Sequence, residues 1–125
     1  MEFKKLVEFD KEFKKLSKKY HSLKLDFEDL KKVLEIDPKL SIFWENWVKR
    51  ISWLWENVKY DIFKIKKFRC ASISGNSKDS WLRIIYTYIE KENKIEFQAI
   101  EFIEIYHKNN KTNHDIDRIK KKYSD

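Results

Sequence analysis

The spacing of apolar residues changes character part-way along this chain, and that change limits it to folds in which helices pack against a sheet. Early on, Leu6, Phe9, Phe13, Leu16 and Tyr20 recur at intervals of three and four residues, which gathers them on one helix face. Lys11, Lys14, Lys15, Lys18 and Lys19 fall largely off that stripe, so the helix has an apolar underside and a basic outer surface. Leu23, Phe27, Leu30 and Leu34 repeat the helical period until Asp37-Pro38 stops it, with Ser22 or Asp26 as the cap. So short a link makes the two helices an antiparallel hairpin, preceded by a short edge strand in the first four residues. From Tyr60 the period shortens toward two. Tyr60 to Arg69 interleaves Ile62, Phe63, Ile65 and Phe68 with Lys64, Lys66, Lys67 and Arg69, a strand with a basic face and room for a bulge. Trp81 to Ile89 alternates cleanly, with Leu82, Ile84, Tyr86 and Tyr88 on one face and Arg83, Ile85 and Thr87 on the other. A loop-like stretch from Ser72 to Ser80 separates these two strands, and a turn at Asn93 leads into a long strand beginning at Ile95. Thr112 or Asn113 caps a last helix, with Asp115 in its first turn and Ile116, Ile119 and Tyr123 facing inward. The expected class is α+β: an N-terminal helical hairpin on a curved, mainly antiparallel sheet, with a C-terminal helix.

A chain of 125 residues supplies one core, so positions 1–125 read as a single domain. With 39% charged and 42% apolar residues, and one Gly and one Pro, it has the composition of a folded helix-and-sheet protein rather than a disordered one. The segment Leu40 to Val58 is unusual because it holds four of the five tryptophans: Trp44, Trp47, Trp53 and Trp55. Its apolar residues fit one broad helical face, with Trp53 off centre, which predicts a Trp-rich helical insertion around 40–58. Such a face serves as core or lid packing, or as a partner-binding groove or homodimer surface. No run of about 18 uncharged apolar residues is present to span a bilayer, and no secretory h-region opens the chain. The solitary Cys70 forbids an internal disulfide and supplies no zinc-binding cysteine set, so a reducing cytoplasm is the expected compartment.

The net charge of +7 favours an anionic partner, nucleic acid first among them. If the three strands are antiparallel neighbours, a polar face gathers Lys64, Lys66, Lys67, Arg69 and Arg83. Arg83 is informative because only four of the 28 basic residues are arginine, and a strand guanidinium presents a planar fork to phosphate oxygens. A surface or intramolecular salt bridge is the competing reading. Tyr106-His107-Lys108 puts an aromatic hydroxyl, an imidazole and an ammonium at one strand end, although alternation sends adjacent residues to opposite faces unless a twist or bulge intervenes. His21 and His114 read as structural or solvated, three separated histidines make no metal motif, and Cys70 reads as packing. No cofactor and no metal is expected, and no phosphate-binding glycine loop or dinucleotide fingerprint is present.

Read in order, Phe9-Asp10-Lys11-Glu12-Phe13-Lys14-Lys15-Leu16, Lys18-Lys19-Tyr20, Phe63-Lys64-Ile65-Lys66-Lys67-Phe68-Arg69, Leu82-Arg83-Ile84-Ile85-Tyr86 and Ile100-Glu101-Phe102-Ile103-Glu104-Ile105-Tyr106-His107-Lys108 span nearly the whole chain. This succession resembles the RelE/ParE toxin superfamily, especially its RelE/HigB-like ribosome-dependent mRNA interferases. The resemblance implies the toxin of a type II toxin–antitoxin pair, with a cognate antitoxin, the ribosome and mRNA as partners. It implies metal-independent cleavage of mRNA in the ribosomal A site through attack of the 2′-hydroxyl on its own phosphate. Arg83 would stabilise the scissile phosphate, His107 would transfer protons and Tyr106 would orient or stack, while Lys64, Lys66, Lys67, Arg69, Lys108 and Trp81 would hold RNA or ribosome. The Trp-rich segment, longer than the connection usual in the family, leaves room for an antitoxin surface or a homodimer contact. Where the family often approaches the arginine through glycine, this chain has Ser80-Trp81-Leu82-Arg83. Two alternatives stand beside this reading: a nonenzymatic gyrase inhibitor of the ParE side, and an inactive RNA-binding or protein-interaction relative.

Overall fold

The computed structural model describes residues 1–40, 48–51, 58, 60–66, 68, 70–74, 80–90, 98–111 and 113–124. Its elements run β1 (Glu2–Lys5), α1 (Val7–Lys19), α2 (Leu23–Ile36), β2 (Val48–Arg50), β3 (Ile62–Ile65), α3 (Ala71–Ser74), β4 (Leu82–Glu90), β5 (Gln98–His107) and α4 (Ile116–Tyr123). The strands form a five-stranded mixed sheet in the order β1-β5-β4-β3-β2. β1 runs parallel to β5 and the remaining pairings are antiparallel. This is a small α+β domain: a helical pair, a mixed sheet and a C-terminal helix.

The helical stripes do what their spacing requires. Phe9 is fully buried and stacks on Phe102 at 5.4 Å, while Phe27 meets the same ring edge-on at 4.7 Å. Together these rings fasten the hairpin to one face of the sheet. Tyr86, also fully buried, extends the aromatic layer by stacking on Phe63 at 5.3 Å, and its hydroxyl donates to the Pro38 carbonyl at 2.9 Å. A buried phenol that lacked such an acceptor would carry a desolvation cost of about 1–3 kcal/mol, so this bond also fixes where α2 ends. The hairpin corner is latched to α3: Ser22 N donates to Ser72 Oγ, Ser72 N donates to Ser22 Oγ at 2.7 Å, and Ala71 N donates to Asp26 at 3.0 Å. Ser22 therefore occupies the N-cap position of α2 while its hydroxyl serves a different backbone amide.

Three expectations are corrected. Val48–Arg50 is a strand paired with β3, so no single helix runs through 40–58. The tryptophans Trp44, Trp47, Trp53 and Trp55 lie outside the described residues, as do Lys67, Arg69 and Asn93. Helical spacing and a short edge strand are hard to separate here, because a three-residue strand such as Val48-Lys49-Arg50 is too short to show a period of two against the broad helical face around it. The strand expected over Tyr60–Arg69 covers only Ile62–Ile65, and the last helix is capped by Asp115, which accepts from Arg118 N at 3.1 Å, rather than by Thr112 or Asn113.

The register of β4 on β5 shifts between Ile85 and Tyr86: Ile85 faces Glu104 while Tyr86 faces Phe102. Ile103 is the extra residue of a bulge in β5. β1 covers β5 only from Ala99 to Phe102, which leaves the next stretch of that edge open. Two charged side chains close it. Arg118 Nη1 donates to the Ile103 carbonyl at 2.9 Å, and Ile105 N donates to Glu12 Oε1 at 3.4 Å. An uncovered edge of this kind is a template for unwanted strand pairing.

Candidate functional site

Register decides which of the sequence-selected residues meet. Arg83 pairs with Tyr106, Ile85 pairs with Glu104, and Lys64 of β3 pairs with Ile85. Cross-strand partners share a face, so Lys64, Arg83, Glu104 and Tyr106 gather on one side of the sheet, opposite the hairpin's aromatic layer. Tyr106 is the centre of this group. The ammonium groups of Lys64 and Lys111 each lie 5.8 Å from its ring centroid, close enough for cation–π attraction. Its hydroxyl is buried and has no hydrogen-bond partner among the described residues.

Electrostatics give each group a distinct protonation bias. Burial, with the negative Glu104 beside it, pushes the Tyr106 phenol up to about 12, Arg83 opposing. At neutral pH it is therefore a protonated donor. Lys64 moves the other way: burial first, then repulsion from Arg83 and Lys66, lowers it below the usual lysine value, with Glu104 partly opposing. Arg83 itself is buried, and its Nη1 donates back to the Leu82 carbonyl at 3.3 Å.

Glu104, fully buried, organises the segment that follows β5. It accepts from Asp115 N at 2.7 Å and from the Lys111 ammonium. The intervening turn is tied to His107, whose carbonyl accepts from Asn110 N and Lys111 N at 3.0 and 3.1 Å and whose Nδ1 accepts from Asn109 N at 3.1 Å. That turn carries Lys111 back over Tyr106.

The structure does not bring His107 to the Arg83–Tyr106 pair. It faces Leu82 across the ladder, on the hairpin side, with its ring 6.5 Å from that of Tyr20. The alternation expected along a strand survives to its last residue, so no twist or bulge aims Tyr106 and His107 together. Burial, then the charges of Lys19 and Arg83, lowers the His107 imidazole, consistent with a neutral ring whose Nδ1 accepts a hydrogen bond. Lys66 is exposed beside Lys64, and Lys108 sits with its ammonium 5.1 Å from the Trp81 ring centroid.

Glu104, Lys111 and His114 belong to the site although sequence reasoning gave none of them a functional role. For Glu104 the signal was present: it lies two residues before Tyr106 on the same strand and so shares its face. Lys111 and His114 arrive through a turn whose geometry no periodicity encodes. Burial and the neighbouring Lys64 and Lys111 lower His114, while Glu104 and Asp115 act in the opposite sense. Both lowered histidines resist protonation in the fold, so their contribution is intact above the ordinary value of 6.5 and is lost as pH falls below it. Denaturant midpoints should thus be flat from pH 8 to about 6.5 and decline toward pH 5. His114→Gln should flatten that decline, and a slope identical to wild type would reject the assignment.

Among the described residues no group of His, Cys, Asp or Glu is arranged to hold a metal ion. A cleft of about 560 Å³ lined by Leu6, Val7, Glu8, Asp115, Arg118 and Lys121 runs along α4 and includes neither Arg83 nor Tyr106. No described helix is long and apolar enough to cross a membrane. Comparison with protein-family models, with curated proteins and with solved structures finds no match for the chain.

Proposed function

We propose that the chain is a ribosome-dependent endoribonuclease of the RelE/ParE kind, the toxin of a type II toxin–antitoxin pair, acting on mRNA in the ribosomal A site. One observation carries this reading: Arg83 and Tyr106 face each other across the β4–β5 ladder, with Lys64 and Lys111 over the tyrosine ring. The Arg83 guanidinium and the Lys111 ammonium beside the tyrosine suit an RNA phosphate, and their charges favour the developing negative charge of the transition state.

The chemistry assigned to the site is transesterification. The 2′-oxygen forms a bond to phosphorus as the bond to the 5′-oxygen breaks, leaving a 2′,3′-cyclic phosphate and a 5′-hydroxyl. Lys64, in its neutral form, accepts the 2′-hydroxyl proton, and Tyr106, once docking on the ribosome uncovers its buried hydroxyl, donates its proton to the leaving 5′-oxygen. Proton return from the Lys64 ammonium to the Tyr106 oxygen restores both groups. Arg83 stabilises the charge on the non-bridging oxygens. The ribosome supplies the extended mRNA geometry that an isolated strand rarely adopts. A cognate antitoxin restrains the activity.

The test is primer-extension mapping of mRNA ends on translating ribosomes. Lys64→Arg preserves positive charge yet cannot deprotonate near neutrality, so codon-linked ends should form about 100-fold more slowly or worse. The wild-type rate should rise with pH until it passes the lowered Lys64 value, because the base form is the active one. Undiminished cutting by folded Lys64→Arg would remove Lys64 from the mechanism. Inhibition of gyrase supercoiling with no ribosomal mRNA ends would overturn the nuclease reading.

A further inference from the structure

Two described non-glycine residues have positive φ, and they differ in what offsets the strain. Leu40, at φ 50°, is buried in the core at 1% exposure, so hydrophobic burial compensates an unfavourable backbone. Trp81, at φ 67°, is 48% exposed and gains far less burial. Its conformation is imposed from both sides. Ser80 N and Ser80 Oγ both donate to the Phe68 carbonyl, at 3.0 and 2.5 Å, and Leu82 N donates to Ser80 Oγ at 3.3 Å. On the other side the Trp81 carbonyl accepts from Lys108 N at 2.9 Å, which closes the strand end. A backbone pinned in the left-handed region is where glycine fits at least cost. A large indole there points to a use for the ring.

We infer that Trp81 is a stacking platform for a nucleobase of single-stranded RNA beside the Arg83–Tyr106 phosphate site, an inference that rests on the RNA-binding part of the function proposed above. Trp81 immediately precedes β4 and stands two residues before Arg83, so the ring and the phosphate site lie at one end of the same strand. The Lys108 ammonium, 5.1 Å from the indole centroid, is placed to meet the phosphate of the stacked nucleotide. Lys19, whose ammonium is 5.4 Å from the Tyr20 ring, adds positive charge at the same end of the sheet, near the stacked Tyr20 and His107 rings. Aromatic faces interleaved with cations hold single strands with little regard for sequence, because every base has a π-face. A protein partner of acidic character would use the same cations but has no need of a flat ring held against its backbone preference.

The experiment is an anisotropy titration of the full chain with a labelled ten-nucleotide single strand carrying 2′-O-methyl sugars, which cannot be cleaved, against the same backbone with every base removed. Wild type should prefer the base-bearing strand by about tenfold, and Trp81→Gly should lose that preference while its affinity for the abasic strand stays within about twofold. Trp81→Phe should retain part of the preference. Trp81→Gly should still fold, since glycine suits the backbone at this position, and circular dichroism checks it. A wild type that does not discriminate the two strands, or a Trp81→Gly protein that discriminates as wild type does, would overturn the inference. Base preference in a protein that leaves ribosomal mRNA uncut would reject the nuclease and retain the stacking site, so the two failures are distinguishable.

Discussion

Arg83→Ala is expected to slow mRNA cleavage on the ribosome by about 100- to 1,000-fold, the range seen when one preorganised donor to a developing oxyanion is removed. Two effects of the guanidinium are lost together. Arg83 is the buried cation opposite Tyr106, so its loss removes charge stabilisation where water has been excluded and such charge counts most. It also lowers Lys64, and without it the ammonium would hold its proton more firmly and offer less of the neutral base at pH 7. The pH–rate curve of Arg83→Ala should therefore shift toward higher pH as well as fall. Arg83→Lys should recover only part of the loss, because an ammonium supplies a point charge where a guanidinium supplies a fork. Single-turnover rates on stalled ribosomes, with circular dichroism to establish folding, measure both effects. A folded Arg83→Ala protein within threefold of wild type would exclude Arg83 from the chemistry.

Much of this arrangement is written in the chain as periodicity. The stripes Leu6–Tyr20 and Leu23–Leu34 become α1 and α2, and the alternation from Trp81 becomes β4, because one face of each must leave water. What periodicity does not carry is the bulge at Ile103, which sets how the two ends of β5 are phased and so decides that Glu104 and Tyr106 share the face of Arg83. Nor does it carry the turn from His107 to Lys111, whose bonds run to one carbonyl and one imidazole nitrogen. Tyr106 and His107 show the difference well. Their adjacency in sequence drew both toward one site, whereas strand geometry separates them and gives His107 the structural task of shaping the turn. Asp115 is a related case. Three polar residues near the start of α4 were chemically able to cap it, and the one that does is the one whose amide Glu104 already holds.

That coupling gives α4 an influence on the site that its position alone would not suggest. An eight-residue helix has little stability of its own, so α4 depends on tertiary anchors. Ile119 and Tyr123 supply burial, and Arg118 supplies the polar clamp: Nη1 and Nη2 meet the two Glu12 oxygens at 2.9 and 3.0 Å, while Nη1 also holds the Ile103 carbonyl. Arg118→Ala should destabilise the protein by about 2–3 kcal/mol, below the range for a fully buried broken pair because both side chains retain some solvent contact. For a domain of this size that corresponds to a melting temperature lower by roughly 10 °C. Glu12→Gln should cost less, and the double variant should be less destabilised than the sum, since each single change strands the other partner. Hydrogen exchange should show the α4 amides opening first, followed by the Asp115 amide that Glu104 holds. Cleavage should then fall even though Arg118 touches no phosphate, because release of Asp115 frees the turn that carries Lys111 over Tyr106. Additive stabilities, or α4 amides that exchange no faster than in wild type, would show that Arg118 does not clamp the helix.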